Sequence, residues 1–194
     1  MIMQGMERGI VLTEYISGMT LHAYMERNGR MEEKAAIDTI RELLLALEKV
    51  HRLGIVHRDI NPDNIMISND GVLKLIDFGI ARQKKQQKSH DTTILSTAGY
   101  AAPEQFGFFQ TDERTDIYAT GVVLNKLLTG RFPGEELYRK EPVRDIILRS
   151  TAMDAGERFH DAATMLEALG QKRENIIEKK FTVSWLPGFR TGML

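Results

Sequence analysis

The feature that most constrains this chain is a pair of acidic loops separated by a short apolar hairpin. The first loop is residues 57–64 (HRDINPDN), and the second is residues 77–79 (DFG). Between them, two β-rich segments, 65–67 and 72–76, flank Ser68-Asn69-Asp70-Gly71, and Asp-Gly favours the positive φ angles of a hairpin turn. We therefore expect the hairpin to bring the two loops together.

Helical patterns surround this region. Residues 31–53 predict a long buried helix that stops at Gly54, because their apolar residues recur at helical spacing: Ile37, Ile40, Leu44 and Leu47. Residues 117–128 predict a central helix that is stopped by Thr129-Gly130, and residues 145–149 and 162–169 predict two more. The second half of the chain is therefore expected to be helical.

Two segments lack helical spacing. Residues 9–16 (GIVLTEYI) are rich in β-branched and aromatic residues, which predicts a strand, with a turn at Ser17-Gly18. Residues 82–96 contain lysines among glutamines, serines and threonines and little apolar content, which predicts a surface loop.

The residue types in the two acidic loops fit phosphoryl transfer. A carboxylate at Asp59 can orient a substrate hydroxyl and accept its proton. Asn64 and Asp77 offer the hard oxygen ligands that Mg²⁺ prefers. Phosphoryl transfer depends mostly on positioning and on charge stabilisation, and this segment offers groups for both.

Further motifs follow in a fixed order. They are residues 97–104 (TAGYAAPE), residues 116–121 (DIYATG), and Arg158 within residues 154–159 (DAGERF). Together with the HRD and DFG loops, they resemble the eukaryotic-like serine/threonine protein kinases of bacteria, over residues 9–170. The resemblance implies an α+β fold that is mainly α: a kinase C-lobe, with a helical bundle and small β-hairpins at the cleft.

The resemblance implies a site for ATP and Mg²⁺ and a protein substrate. Asp59 is then the catalytic base, Asn64 and Asp77 hold Mg²⁺, and Thr97 lies beside Asp59 in the substrate site. Adenine is expected to meet the hinge backbone, with the pocket formed by Thr13, Glu14, Tyr15 and Ile16, and with Met66, Leu75 and Ile76 as its floor.

The resemblance also implies control and structural residues. Arg58, beside the catalytic Asp59, suggests pairing with a phosphate that orders the activation loop. The candidate phosphorylation sites are Thr92, Thr93 and Ser96, with Thr93 narrowly first. The structural residues are expected to be His57, packed inward, Asp116, bracing the HRD backbone, and Glu104, paired with Arg158.

Asn61 departs from the family pattern, because kinases of this type usually have a lysine two residues after the HRD aspartate. That lysine steadies the transferred phosphoryl group. Asparagine can donate a hydrogen bond but carries no charge, so we expect weaker transition-state stabilisation unless another cation substitutes. Pro62 and Thr97 still favour a serine/threonine kinase over a tyrosine kinase.

A second departure lies before the hinge. Residues 1–13 contain no glycine-rich phosphate loop, no Val-Ala-Ile-Lys strand and no helix with the glutamate that pairs with that lysine. The predicted division is a remnant of an N-lobe strand (1–13), a hinge (14–18), a kinase C-lobe (19–170) and a C-terminal tail (171–194). We therefore expect this chain alone to be weakly active or inactive.

Composition excludes several other kinds of site. A net charge of -1 provides no overall field to attract nucleic acid, and the absence of cysteine excludes disulfides and thiolate chemistry. No apolar run approaches the roughly 20 residues of a membrane span, and the first residues lack a secretory signal pattern. The predicted location is cytoplasmic. Self-association is also expected, through an exposed surface on the hinge side.

Two other functions stay open. A pseudokinase-like module would use the same fold to bind partners without catalysis. A small-molecule kinase of the aminoglycoside or choline type would share a His-x-Asp loop and a metal-binding aspartate, although residues 97–104 and Arg158 argue against it.

Overall fold

The computed structural model of the chain describes residues 14–78, 82–83, 97, 99–106 and 111–170. Within these residues five α-helices follow one another: α1 (Leu21–Asn28), α2 (Glu33–Arg52), α3 (Glu113–Thr129), α4 (Val143–Ser150) and α5 (Ala162–Ala168). Two short 3-10 helices, Pro103–Phe106 and Ala155–Glu157, lie between them. The mainly helical fold predicted from the sequence is confirmed.

Five short strands in the described part of the chain form two antiparallel sheets: β1 (Gly18–Thr20), β2 (Ile55–Val56), β3 (Ile65–Ser68), β4 (Leu73–Leu75) and β5 (Arg82–Gln83). One sheet has the order β1-β3-β4, and β2 pairs with β5 in the other. Gly18 lies opposite Ser68 in the first sheet. A β-carbon on Gly18 would lie 2.3 Å from the Ile67 carbonyl oxygen, so β1 needs a glycine at this close approach.

The core lies between α2 and α3, with α5 packed against α2 and α4 packed against α3. The fully buried side chains of α2 include Ile40, Leu43, Leu44 and Leu47, at the spacing of one helix face. Helix α3 is buried on all sides, as expected of a central helix. It ends at Gly130, which adopts a left-handed conformation with φ of 74°.

The predicted helices and the hairpin are confirmed with small shifts in their ends. Helices α2 to α5 cover the four predicted helical segments, and β3 and β4 form the predicted hairpin, with Gly71 at φ of 78° in its turn. No helix in the described part of the chain is both long enough and apolar enough to cross a bilayer.

The predictions for the first segment and for the loop after the DFG motif need correction. Residues 14–17 form no strand, and the first strand in the described part of the chain begins at Gly18, where the sequence predicted a turn. Gly18 belongs to a strand because its missing side chain admits the neighbouring backbone. Within the predicted surface loop, Arg82–Gln83 pairs with β2, whereas residues 84–96, like residues 9–13, lie outside the described residues.

Candidate active site

The backbone of the HRD turn is held by the carboxylate of Asp116, on the first turn of α3. Its oxygens accept hydrogen bonds from the backbone N–H groups of His57, at 2.9 Å, and Arg58, at 2.8 Å. Arg58 adopts a φ of 71°, a strained conformation for a residue with a side chain. The buried carboxylate therefore helps to fix a backbone shape that the turn would not adopt readily by itself.

A third contact to Asp116 comes from His51 on α2. The His51 Nε2 atom lies 2.8 Å from Asp116 Oδ2, and both side chains are buried. Burial by itself raises the pKa of Asp116, but the hydrogen bond from His51, the nearby histidines and the Arg58 N–H bring this pKa below its usual value. Asp116 is thus ionised, and His51 donates its Nε2 proton.

His57 is buried, with its imidazole between the two acidic loops. Burial lowers the pKa of His57, so the ring is neutral. Its Nδ1 atom accepts the backbone N–H of Asp59 at 3.3 Å, and its Nε2–H donates to the Ile76 carbonyl at 3.1 Å. The ring also packs edge-on against Phe78, with centroids 4.6 Å apart. His57 therefore links the HRD loop to the DFG loop.

The carboxylate of Asp59 lies between two side chains. Asn64 Nδ2 donates to Asp59 Oδ2 at 2.9 Å and to the Asp59 carbonyl at 2.9 Å. On the other side, Thr97 donates both its backbone N–H, at 3.2 Å, and its hydroxyl, at 2.9 Å, to Asp59 Oδ1. The structure thus brings Thr97, 38 positions away in sequence, to Asp59 and its loop neighbour Asn64.

Asn61 is 2% exposed and lies at the centre of the same loop. Its side-chain oxygen accepts the backbone N–H groups of Asp63, at 2.9 Å, and Asn64, at 3.2 Å. Its amide nitrogen donates to the Asp59 carbonyl at 3.2 Å and to the Thr97 hydroxyl at 3.0 Å. A lysine could not accept the two N–H groups, so Asn61 organises this loop in a way that the usual residue cannot.

Asp77 is exposed and follows directly after the hairpin, with a φ of 58°. The backbone N–H of its neighbour Ile76 donates to the Asn64 carbonyl at 2.9 Å, so the ends of the two loops are joined. An amide binds cations through its oxygen, so the Asn64 side-chain oxygen is the candidate ligand, while the amide nitrogen donates to Asp59. Asn64 and Asp77 therefore offer oxygen ligands at adjoining backbone positions.

The predicted hinge is attached to the hairpin. Glu14 forms an ion pair of 2.5 Å with Lys74 on β4, and the Ser17 carbonyl accepts the backbone N–H of Asn69 at 2.8 Å. Tyr15 is 90% exposed. Ile16 and the predicted floor residues Met66 and Ile76 are half-buried, whereas Leu75 packs in the core. The predicted residues Thr13, Thr92, Thr93 and Ser96 lie outside the described residues.

Glu104 and Arg158 form a buried ion pair beneath the 97–104 segment. Two N–O distances of 2.8 and 2.9 Å join the guanidinium to the carboxylate. Arg158 also donates to three backbone carbonyls, and Glu104 accepts the Thr115 hydroxyl at 2.8 Å. These hydrogen bonds compensate the cost of burying both charges and attach the segment to α3.

Two positioning residues were missed from the sequence. His51 contacts Asp116 across 65 positions, and Gln105 donates from Nε2 to the Arg58 carbonyl at 2.7 Å across 47 positions. Gln105 Oε1 also accepts the Ala102 N–H at 3.0 Å. A polar residue beside a known motif was the only signal for Gln105, and no periodic pattern marked either residue.

Comparison with known proteins identifies the family. The family model for the protein kinase domain matches residues 2–181. The chain is 35% identical over 200 residues to the serine/threonine-protein kinase PrkC of Bacillus subtilis, covering 89% of this chain and 31% of that protein. It is 41% identical over 188 residues to the serine/threonine-protein kinase PknL of Mycobacterium tuberculosis, covering 84% and 47% respectively.

A probable serine/threonine-protein kinase PknB of Lactococcus lactis is 30% identical over 179 residues, which cover 80% of this chain and 28% of the relative. The chain therefore spans between 28% and 47% of the length of these three relatives. The motif order, the loop geometry and the family match agree: the chain belongs to the protein kinase family, within its bacterial serine/threonine type.

Proposed function

We propose that this chain supplies the catalytic loops for transfer of the γ-phosphate of ATP to serine and threonine hydroxyls of proteins, with Asp59 as the catalytic base and with weak or no activity in the chain alone. The observation that carries the proposal is the hydrogen bond of 2.9 Å between the Thr97 hydroxyl and Asp59 Oδ1. This contact supports the proposal, because it places a hydroxyl at hydrogen-bond distance from a carboxylate oxygen, as general base catalysis requires. Asn64 holds the other carboxylate oxygen and so fixes the direction of the first.

The proposed metal ligands are Asn64 and Asp77. Mg²⁺ usually takes one or two protein oxygens and fills its other positions with water and substrate phosphates. Among the described residues no group of three or more histidine and acidic side chains forms a complete cage, and two oxygens satisfy this pattern. ATP bound with Mg²⁺ would supply the phosphoryl group and neutralise its charge, while Asp59 orients the acceptor hydroxyl.

The other proposed roles follow the same family pattern. The hinge residues Glu14, Tyr15 and Ile16, with Thr13, would contact adenine above Met66 and Ile76. Arg58 would pair with a phosphate on Thr92 or Thr93. We keep the division into a strand remnant (1–13), hinge (14–18), C-lobe (19–170) and tail (171–194) as a prediction.

A matched pair of variants tests the catalytic proposal. We expect Asp59→Asn to lower the phosphorylation rate of a generic protein substrate by at least ~10²-fold, because removing a positioned general base costs this much. Asp63→Asn, which neutralises an exposed carboxylate in the same loop, is expected to leave the rate nearly unchanged. Both are assayed with Mg²⁺-ATP in this chain and in any longer product of the same gene.

The outcomes of this assay separate the proposed function from its two rivals. Equal rates in wild type and Asp59→Asn would contradict catalysis by Asp59. If no form transfers phosphate but partner binding is retained, the result would favour the pseudokinase-like module. Phosphorylation of an aminoglycoside or choline, but not of protein, would favour a small-molecule kinase.

We also propose that the hinge side mediates self-association with a second copy of the chain. Tyr15 is 90% exposed there, and among the described residues β1 has a partner strand on one side only. An exposed apolar residue beside a strand edge favours pairing with another chain. In sedimentation over a concentration series, Tyr15→Ser is expected to weaken association, whereas Met153→Ser, at another exposed apolar residue, is not. A strictly monomeric wild type would refute the proposal.

A further inference from the structure

Phe132, in the loop after α3, contacts the back of the 97–104 segment. Its ring lies edge-on to the ring of Tyr100, with centroids 5.3 Å apart. The same ring lies so close to Gly99 that a β-carbon there would come within 2.7 Å of it. Gly99 also has a φ of 90°, which favours glycine. The aromatic ring and the backbone of the segment are therefore in direct contact.

The loop that carries Phe132 is anchored to α3. The buried side chain of Asn125 donates to the carbonyls of Arg131, at 2.9 Å, and Glu136, at 2.8 Å, and accepts the N–H of Tyr138 at 2.9 Å. Lys126 places its Nζ atom 3.8 Å from the centre of the Phe132 ring, a favourable cation–π contact. The ring is thus held from behind by the central helix.

The contacts continue from the ring to the catalytic carboxylate. The backbone N–H of Tyr100 donates to the Thr97 carbonyl at 3.1 Å. Thr97 in turn donates its N–H and its hydroxyl to Asp59 Oδ1. Phe132 is therefore connected to Asp59 through Tyr100 and Thr97.

We propose that Phe132 is a positioning residue for the protein substrate: it supports residues 99 and 100 from behind and so keeps Thr97 at Asp59. This inference rests on the proposed kinase function. Small displacements of reacting groups lower rates strongly, so loss of the ring would lower turnover of the protein substrate. The half of the site expected to bind ATP, formed by the hinge and the hairpin, would be unaffected.

The test compares Phe132→Ala and Phe132→Leu with wild type by two measurements. The first is hydrogen exchange of the backbone amides in residues 99–106. We expect exchange there to be several-fold faster in Phe132→Ala, because the supporting ring is lost, and intermediate in Phe132→Leu, which keeps part of the apolar contact. Exchange in α2 should be unchanged in both variants, which shows that the fold is intact.

The second measurement is steady-state kinetics with Mg²⁺-ATP and a generic protein substrate. We expect Phe132→Ala to lower kcat by roughly 10- to 100-fold while the KM for ATP stays at the wild-type value. Leu137→Ala serves as the matched control, since it removes a half-buried apolar side chain from the same loop. It should change neither kcat nor the exchange of residues 99–106.

Each outcome decides the proposal. Unchanged exchange in Phe132→Ala would overturn it, as would equal effects in Leu137→Ala, which would indicate a general loss of loop packing. A rise in the KM for ATP equal to the fall in kcat would also overturn it. If neither the wild-type chain nor any longer product of the same gene transfers phosphate, the proposed function fails, and the exchange measurement alone still decides whether Phe132 supports the segment.

Discussion

Asn61 shows at the scale of one residue how a departure from a family motif can give the residue a structural role in its loop. We expect Asn61→Ala to lower the free energy of unfolding by about 1–3 kcal/mol, because the buried loop loses the acceptor of the Asp63 N–H and the donor to Thr97. Urea unfolding measures this loss. Asn69→Ala is the control, since its side chain makes an exposed hydrogen bond to Ser17. Equal losses in both variants would contradict the role given to Asn61.

Sequence alone could identify Asn61 as unusual but could not say what it does. The motif comparison predicted the loss of a positive charge, and the structure adds four hydrogen bonds that a lysine could not reproduce as a set. Asp59, Asn64 and Asp77 could be singled out as candidates because their residue types and order fit phosphoryl transfer. The contact between Thr97 and Asp59 was expected only through the family resemblance, because it joins residues 38 positions apart.

At the scale of the elements, apolar periodicity predicted the helices that bury a clear face. Helix α2 was found for this reason, and α3 was found from its apolar run ending at Thr129-Gly130. Helix α1 was missed because only Leu21 of its eight residues is buried. Its start depends on a local cap, in which the Thr20 side chain accepts the N–H of Ala23 at 3.1 Å. A helix with one buried residue leaves little periodic signal in the sequence.

Strand positions were harder to predict than helix positions. The apolar residues 9–16 suggested a strand, yet residues 14–16 form none and β1 begins at Gly18, because pairing with β3 depends on close backbone approach rather than on side-chain type. Two-residue strands such as β2 and β5 depend entirely on a distant partner. The hairpin was predictable because its partner strand and its turn lie in one continuous segment.

At the scale of the whole molecule, two buried groups make the free energy of unfolding depend on pH: His57, which is neutral in the folded state, and Asp116, which is ionised. His57 is neutral in the folded state, and its pKa is lowered from 6.5. The unfolded chain therefore binds a proton more readily below about pH 6.5, so the free energy of unfolding should fall with pH there, by up to about 1.4 kcal/mol per pH unit. Asp116, with its pKa lowered from 3.8, should add a further loss at more acidic pH.

Urea unfolding between pH 5 and 8 measures the first effect. Removing the imidazole in His57→Gln should flatten the slope below pH 6.5, whatever its effect on stability at pH 8. His160→Gln, at an imidazole that is 89% exposed, should leave the slope as it is in wild type. A slope that survives His57→Gln would show that another group causes the pH dependence.

The small sheet of β1, β3 and β4 has a consequence for ligand size. One end of it is attached to residues 14–17, and Asn64 and Asp77 lie where β3 begins and just after β4 ends. The four residues of β3 extend over about 13 Å, so the length of one strand lies between the backbone contact of Ser17 and the proposed metal ligands. Under the proposed function, the length of β3 sets how far the phosphates of a nucleotide must reach from the hinge to the metal ligands.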